Sequence, residues 1–290
     1  MLIDAHAHVN FNAYKDDAPE VIRRALDNDI WMINIGSQSS TSERAVKIAE
    51  QYPEGVYACV GLHPMHLFSA EVDEQEAGAN FITREENFNH DFYYQLGQHP
   101  KTVGIGECGL DYYYLKIQGA EFEAVKSKQK QVFIQHIELA NELGLPLMLH
   151  CRGSKDNPED AYLDMLEILK EQQKMTGITG MIHCFGSTSE IAQKFVDLGF
   201  CVGFTGIVTF SNAKDLQQVA QELPFDSLIT ETDCPYLAPQ PMRGKRNEPL
   251  YVKYVAEKIA DLKQCAIAEV ENQIFGNALR IFKKISPQTI

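Results

Sequence analysis

Eight short apolar runs, rich in β-branched residues, recur along the chain with helical patterns between them. This alternation restricts the possible folds more than any other feature. The runs are Leu2–Ala5, Ile30–Ile35, Gly55–Val60, Thr102–Ile105, Leu145–Leu149, Ile178–Ile182, Gly199–Phe204 and Leu228–Glu231. Near-continuous apolar strands belong in a parallel sheet, where both faces are buried. Among the helical stretches, Glu121–Leu143 is the longest and sets Phe133, Ile137 and Ala140 on one face. Pro158–Lys174, Ser187–Leu198 and Asn212–Glu222 follow, then Val252, Val255, Ile259 and Leu262 at helical spacing, then a last helix over Ala266–Lys284. Strand and helix alternating eight times predict an α/β fold, a TIM-like (β/α)₈ barrel forming a single domain over residues 1–290. A doubly wound open sheet is the alternative. Ser69–His99 is longer than the other connections. Its acidic first part, Glu71–Asn80, reads as a surface loop and its second part as a possible helix.

The histidines stand where such a barrel keeps its chemistry. Of nine, six fall at the C-terminal ends of expected strands: His6, His8, His63, His66, His150 and His183. Glu107 and Asp233 end strands as well. That face carries the active site in barrels of this kind. His6 and His8 alternate along a strand, so both imidazoles can face one point. Alone, such a pair is also a common way to fill a polar strand end. Glu107 follows Gly104-Ile-Gly106, whose spacing is wrong for a dinucleotide-binding turn; the glycines read as a tight strand exit. A buried carboxylate needs a cationic partner, and its two oxygens can bridge two metals. His150, His183 and Asp233 complete a set of four imidazoles and two carboxylates. Such a mixture suits zinc, manganese, iron or a similar ion, with magnesium possible at a harder position.

Cys108, Cys151, Cys184 and Cys234 each follow one of these residues. Alternation should turn them away, as small buried hydrophobes. His90, His99 and His136 lie in helical stretches and read as surface or packing residues. The seven cysteines are scattered and form no CxxC pair, which argues against a disulfide framework or a zinc knuckle. The first eight residues contain an acid and no lysine or arginine, unlike a signal peptide, and no apolar run is long enough to span a bilayer. A cytoplasmic protein is expected. The net charge of −14 disfavours broad polyanion binding over the whole surface, but not a nucleic acid held at one local site.

Seven stretches together resemble the TatD-like deoxyribonucleases of the amidohydrolase-type metal-dependent hydrolases. They are Asp4-Ala-His-Ala-His8, Gly61-Leu-His-Pro64, Gly106-Glu-Cys-Gly-Leu-Asp111, Leu149-His-Cys-Arg152, His183-Cys-Phe185, Glu231-Thr-Asp-Cys-Pro-Tyr-Leu237 and Arg243-Gly-Lys-Arg-Asn-Glu-Pro249. They cover nearly the whole chain in the family's order, and the set is far more specific than any member. Two departures are visible: alanine between the first two histidines, and a longer stretch over residues 69–99. The resemblance implies a TIM-like barrel with two divalent ions, Zn, Mn or Mg. His6, His8 and Asp233 would hold one, His150 and His183 the other, and Glu107 would bridge them. It implies hydrolysis of DNA, often from 3′ ends of single strands.

On that basis Asp233 and Glu107 are the expected catalytic groups, with Asp233 taking a proton from the attacking water. His63, Arg152 and Arg243 are candidates to bind substrate phosphate. Lys245 and Arg246 form the compact basic run near the mouth, or else an ordinary solvated loop. Two rivals remain. The same site could cleave a carboxylic ester, lactone or amide, including an aminoacyl-tRNA ester. Related barrels often bridge their metals with a carbamylated lysine; Glu107 in that place favours the nuclease. A non-catalytic metal or nucleic-acid binder is the other.

Overall fold

The computed structural model describes residues 1–68, 71–72, 81–82, 85–113 and 119–286. All eight apolar runs form strands: β1 Leu2–Ala7, β2 Ile30–Ile35, β3 Val56–Val60, β4 Thr102–Asp111, β5 Leu147–Arg152, β6 Gly180–Ile182, β7 Phe200–Phe204 and β8 Leu228–Thr230. They pair in parallel and in sequence order, each with the next. The first and last meet as well. An isolated parallel bridge joins Ala7 to Cys234, His8 N–H donates to Cys234 O at 2.9 Å and Asp233 N–H donates to His6 O at 2.9 Å. The sheet is therefore a nearly closed barrel and the open doubly wound sheet is excluded.

Helices α1 Ala18–Leu26, α2 Ser39–Ala49, α3 His90–Gly97, α4 Ala120–Leu143, α5 Asp160–Thr176, α6 Ser189–Asp197, α7 Lys214–Glu222, α8 Val252–Lys263 and α9 Ile267–Ile281 surround it. α4 and α5 stop at Gly144 and Gly177, both at φ +64°, where glycine adopts the left-handed turn without cost. α4 buries Phe133, Ile137 and Ala140 against the strands, as its periodicity predicts. In the 69–99 stretch the second part does form a helix, α3. Residues 71–72 pair antiparallel with 81–82; the rest of the expected acidic loop, 73–80, lies outside the described residues.

The barrel has two unlike ends. Ile3, Ala5, Trp31, Ile33, Met148, Met181 and Ile229 fill its interior, and Ala278, Ile281, Phe282 and Ile285 from the end of α9 pack up against them. Apolar packing thus closes the end where the strands begin. The polar residues gather at the other end.

Candidate metal centre

A cavity of about 850 Å³ opens at the C-terminal ends of the strands, with His8, His63, Glu107, His150, His183 and Asp233 among its walls. Simple alternation does not account for the first pair of histidines. Ile3 and Ala5 face the barrel interior, yet Ala7 packs outside, because the β1–β2 register slips between Asp4 and Ala7. That slip turns His6 and His8 inward. A second slip, between Ile105 and Cys108, brings Glu107 into the mouth. Gly106 makes this possible: at φ +144° a Cβ there would stand 2.3 Å from Met148 O. Irregularities of this kind commonly re-aim side chains beside active sites. Asp233 adopts φ +54°, a left-handed conformation that aspartate tolerates better than most residues.

Glu107 stands at the centre. Its Oε2 lies 3.5 Å from His6 Nε2 and 3.8 Å from His8 Nε2. Its Oε1 lies 2.9 Å from His150 Nδ1, 3.4 Å from His183 Nε2 and 3.4 Å from His63 Nε2. One carboxylate therefore faces two separate groups of donors. Asp233 joins the first, with Oδ1 3.4 Å from His8 Nε2 and 3.8 Å from His6 Nε2.

The hydrogen bonds behind these donors decide which lone pairs are available. His8 Nδ1 donates to Ile35 O at 2.9 Å, which leaves Nε2 as a lone pair facing His6 Nε2 only 3.1 Å away. Burial and the neighbouring His183 hold His6 down at about 4, which keeps that ring neutral. Two imidazoles and two carboxylate oxygens converging on one point fit a divalent cation. Around Oε1 the pattern differs. His150 Nε2 meets Asp111 Oδ2 at 3.0 Å, whereas His183 Nδ1 faces Glu231 Oε1 at 3.4 Å as an ion-pair contact outside hydrogen-bond geometry. Burial opposes the charge on both, but Asp111 and Glu107 raise His150, and Glu231 and Glu107 raise His183 to about 10. These protons stand where a cation would, so the second group also fits one. Burial opposes ionisation of Glu107 as well, yet His63, His6, His183 and the hydrogen-bonded His150 hold its carboxyl well below the usual range.

His63 is different. Its Nδ1 accepts from Met65 N–H at 3.1 Å, so in the neutral ring Nε2 carries the proton. Burial, with His150 close by, pushes His63 below its ordinary value and keeps it neutral. It therefore presents a donor to the cavity, not a lone pair.

Of the other expected site residues, Arg152 lines the cavity, with its guanidinium over the Tyr113 ring at 3.6 Å. Arg243 is exposed and covers Phe210 at 4.5 Å, outside the cavity wall. Lys245 is exposed. Arg246 is a structural clamp: it grips Asp17 with two bonds, of 3.0 and 2.5 Å, and donates to Ala13 O. Cys108, Cys151 and Cys234 are buried as expected. Cys184 is a correction. At φ +46° the chain breaks the alternation, and its sulfur lies in one donor group with His183 and Asp233. Burial and the carboxylates of Asp233 and Glu231 push that thiol well above its ordinary value, so it stays protonated. His90 and His99 flank α3 at the surface and His136 is buried in packing.

Sequence reasoning missed Asp111 and Glu231, the carboxylates behind His150 and His183. Both were within the quoted motifs. The available signal was a carboxylate closing an apolar strand run, where it would need a partner.

The family model for "TatD related DNase" matches residues 3–283 of this chain. An "uncharacterized metal-dependent hydrolase" of Bacillus subtilis, YabD, is 39% identical over 284 residues, spanning 98% of this chain and 99% of its own. The chain belongs to the TatD-related DNase family. It is a metal-dependent hydrolase of that family, and its clustered His, Glu and Asp side chains could hold metal. A second relative, YcfH of Escherichia coli strain K12, is 33% identical over 97% of this chain and 95% of its own, and is likewise named a metal-dependent hydrolase. Among solved structures, the TatD homologue YjjV of E. coli K12 superposes with a TM-score of 0.77 at 24% identity, over 99% of this chain and 98% of that one. At 11% identity, an organophosphorus hydrolase from Deinococcus radiodurans still matches with a TM-score of 0.58 over 97% and 92% of the two chains. These last two similarities concern the fold alone.

Proposed function

We propose that this chain is a deoxyribonuclease that removes nucleotides from 3′ ends of DNA, and that His6, His8, Glu107, His150, His183 and Asp233 would hold two divalent ions. One observation carries the reading: the two oxygens of Glu107 face two different donor groups, His6, His8 and Asp233 on one side, His150 and His183 on the other. The family's name supports DNA as the substrate class.

Bound there, divalent ions supply Lewis acidity and a water that ionises near neutral pH. The chain's own groups do the rest. Asp233, whose Oδ1 borders the first group, accepts the proton of the attacking water. Glu107 would contribute one oxygen to each donor group. His63 donates from Nε2 to a phosphoryl oxygen as charge builds there. Arg152 offers its fork to phosphate within the cavity, and Arg243 can meet the strand only beyond the wall.

The test is cleavage of a 5′-labelled single-stranded oligonucleotide by metal-stripped protein, before and after adding Mg²⁺, Mn²⁺ or Zn²⁺. A ladder shortening from the 3′ end only with metal is expected, and Asp233→Ala should abolish it. Full binding of two ions without cleavage of any DNA would move the assignment to a carboxylic ester, lactone or amide.

A further inference from the structure

We propose that Tyr113, Arg152 and Lys155 form a subsite for a second phosphate, the one adjacent to the phosphate that reacts. The preferred substrate is then an oligonucleotide with a phosphate beside the cleaved linkage. The inference rests on the nuclease reading above.

Position is the first argument. Arg152 follows His150 by two residues on β5, on the same face, roughly 6.6 Å further along the strand. That is comparable to the step between successive phosphates of a nucleic-acid strand. Charge is the second. The Arg152 guanidinium and the Lys155 ammonium lie over the same Tyr113 ring, at 3.6 and 4.7 Å from its centre. The ring face attracts each cation, and two cations gathered over one ring in the cavity wall suit an anion. Arg152 and Lys155 are the only arginine and lysine among the described residues of the wall. Across the barrel the loops after β1, β7 and β8 contribute Phe11, Ile207, Tyr236 and Leu237, with no lysine or arginine among the described residues.

The platform is also built, not draped. Tyr113 N–H donates to Asp111 Oδ1 at 3.0 Å, while Asp111 Oδ2 holds His150 Nε2 at 3.0 Å. One buried carboxylate thus sets the platform relative to a metal-binding histidine. The loop that bears Lys155 is pinned on both sides. Ser154 N–H donates to Asp160 Oδ1 at 2.9 Å and Asn157 N–H donates to Ser154 Oγ at 3.1 Å. Gly153 sits so close to Pro158 that a Cβ would come 2.1 Å from its carbonyl oxygen.

The experiment compares kcat/KM of the Mn²⁺-loaded protein on thymidine dinucleotides with no terminal phosphate, a 5′-phosphate or a 3′-phosphate, and on bis(p-nitrophenyl) phosphate. One of the two phosphorylated dinucleotides should be cleaved about tenfold better than the bare one. Lys155→Met should bring that ratio close to one, and Lys155→Arg should restore it. Turnover of the bare dinucleotide and the aryl diester with no preference would overturn the subsite and leave the nuclease reading intact. No turnover of any diester would overturn both.

Discussion

At the scale of single residues, the site is governed by what stands behind each donor. His8 is oriented by a backbone carbonyl, His183 by Glu231 and His150 by Asp111. Such outer partners fix the tautomer and raise the basicity of a ligand. Asp111→Asn keeps the shape and removes the charge. It should weaken Mn²⁺ binding by roughly 10–100-fold in calorimetric titration; unchanged affinity would show that His150 needs no carboxylate. His136 allows a cleaner test. Its Nε2 accepts from Leu62 N–H at 3.0 Å, next to His63, and burial lowers it from 6.5 to about 4. The unfolded chain takes up that proton first. The stability it contributes is therefore complete above about pH 6.5 and is lost as pH falls towards 4, up to about 3 kcal/mol. The urea midpoint of His136→Gln should change less between pH 6.5 and 4 than that of the parent. Identical slopes would assign the effect to other groups.

At the scale of elements, every strand was legible because buried parallel strands are apolar on both faces. The positions of the candidate donors were legible too, since strand ends carry them. Their directions were not. His6, His8 and Glu107 point inward because two registers slip, and a period of two cannot announce its own interruption. The same limit misjudged Cys184, whose left-handed backbone is set by the turn after β6. Likewise the basic run near the mouth could not reveal that Arg246 binds Asp17. α9 closes the far end of the barrel through Phe282, which is fully buried. Phe282→Ala should cost roughly 3–5 kcal/mol in urea unfolding, yet leave kcat unchanged in the folded fraction. A parallel loss of kcat would mean that the two ends are mechanically coupled.

At the scale of the whole molecule, the barrel separates what holds it together from what it does. Apolar packing lies at one end and charge at the other. Uncompensated, the charged end works against folding; an ion bound only by the native state should raise Tm with its concentration, by the equivalent of about 2.7 kcal/mol at a hundred times Kd. A chelator should reverse the rise. His8→Ala should diminish it.

The seam between β1 and β8 adds a kinetic side to this. Elsewhere around the ring neighbouring strands share ladders of several paired residues, some with a slip; here one isolated bridge, two backbone bonds at His8 and Asp233 and the bonds from Thr232 to the Asp4 carboxylate do that work. His6 and His8 stand on one lip of that seam and Asp233 on the other. Any ion gripping all three is also a rivet across the weakest joint of the wall. Amide hydrogens there should exchange with deuterated solvent sooner than those of the other strands, and the difference should vanish when metal is present.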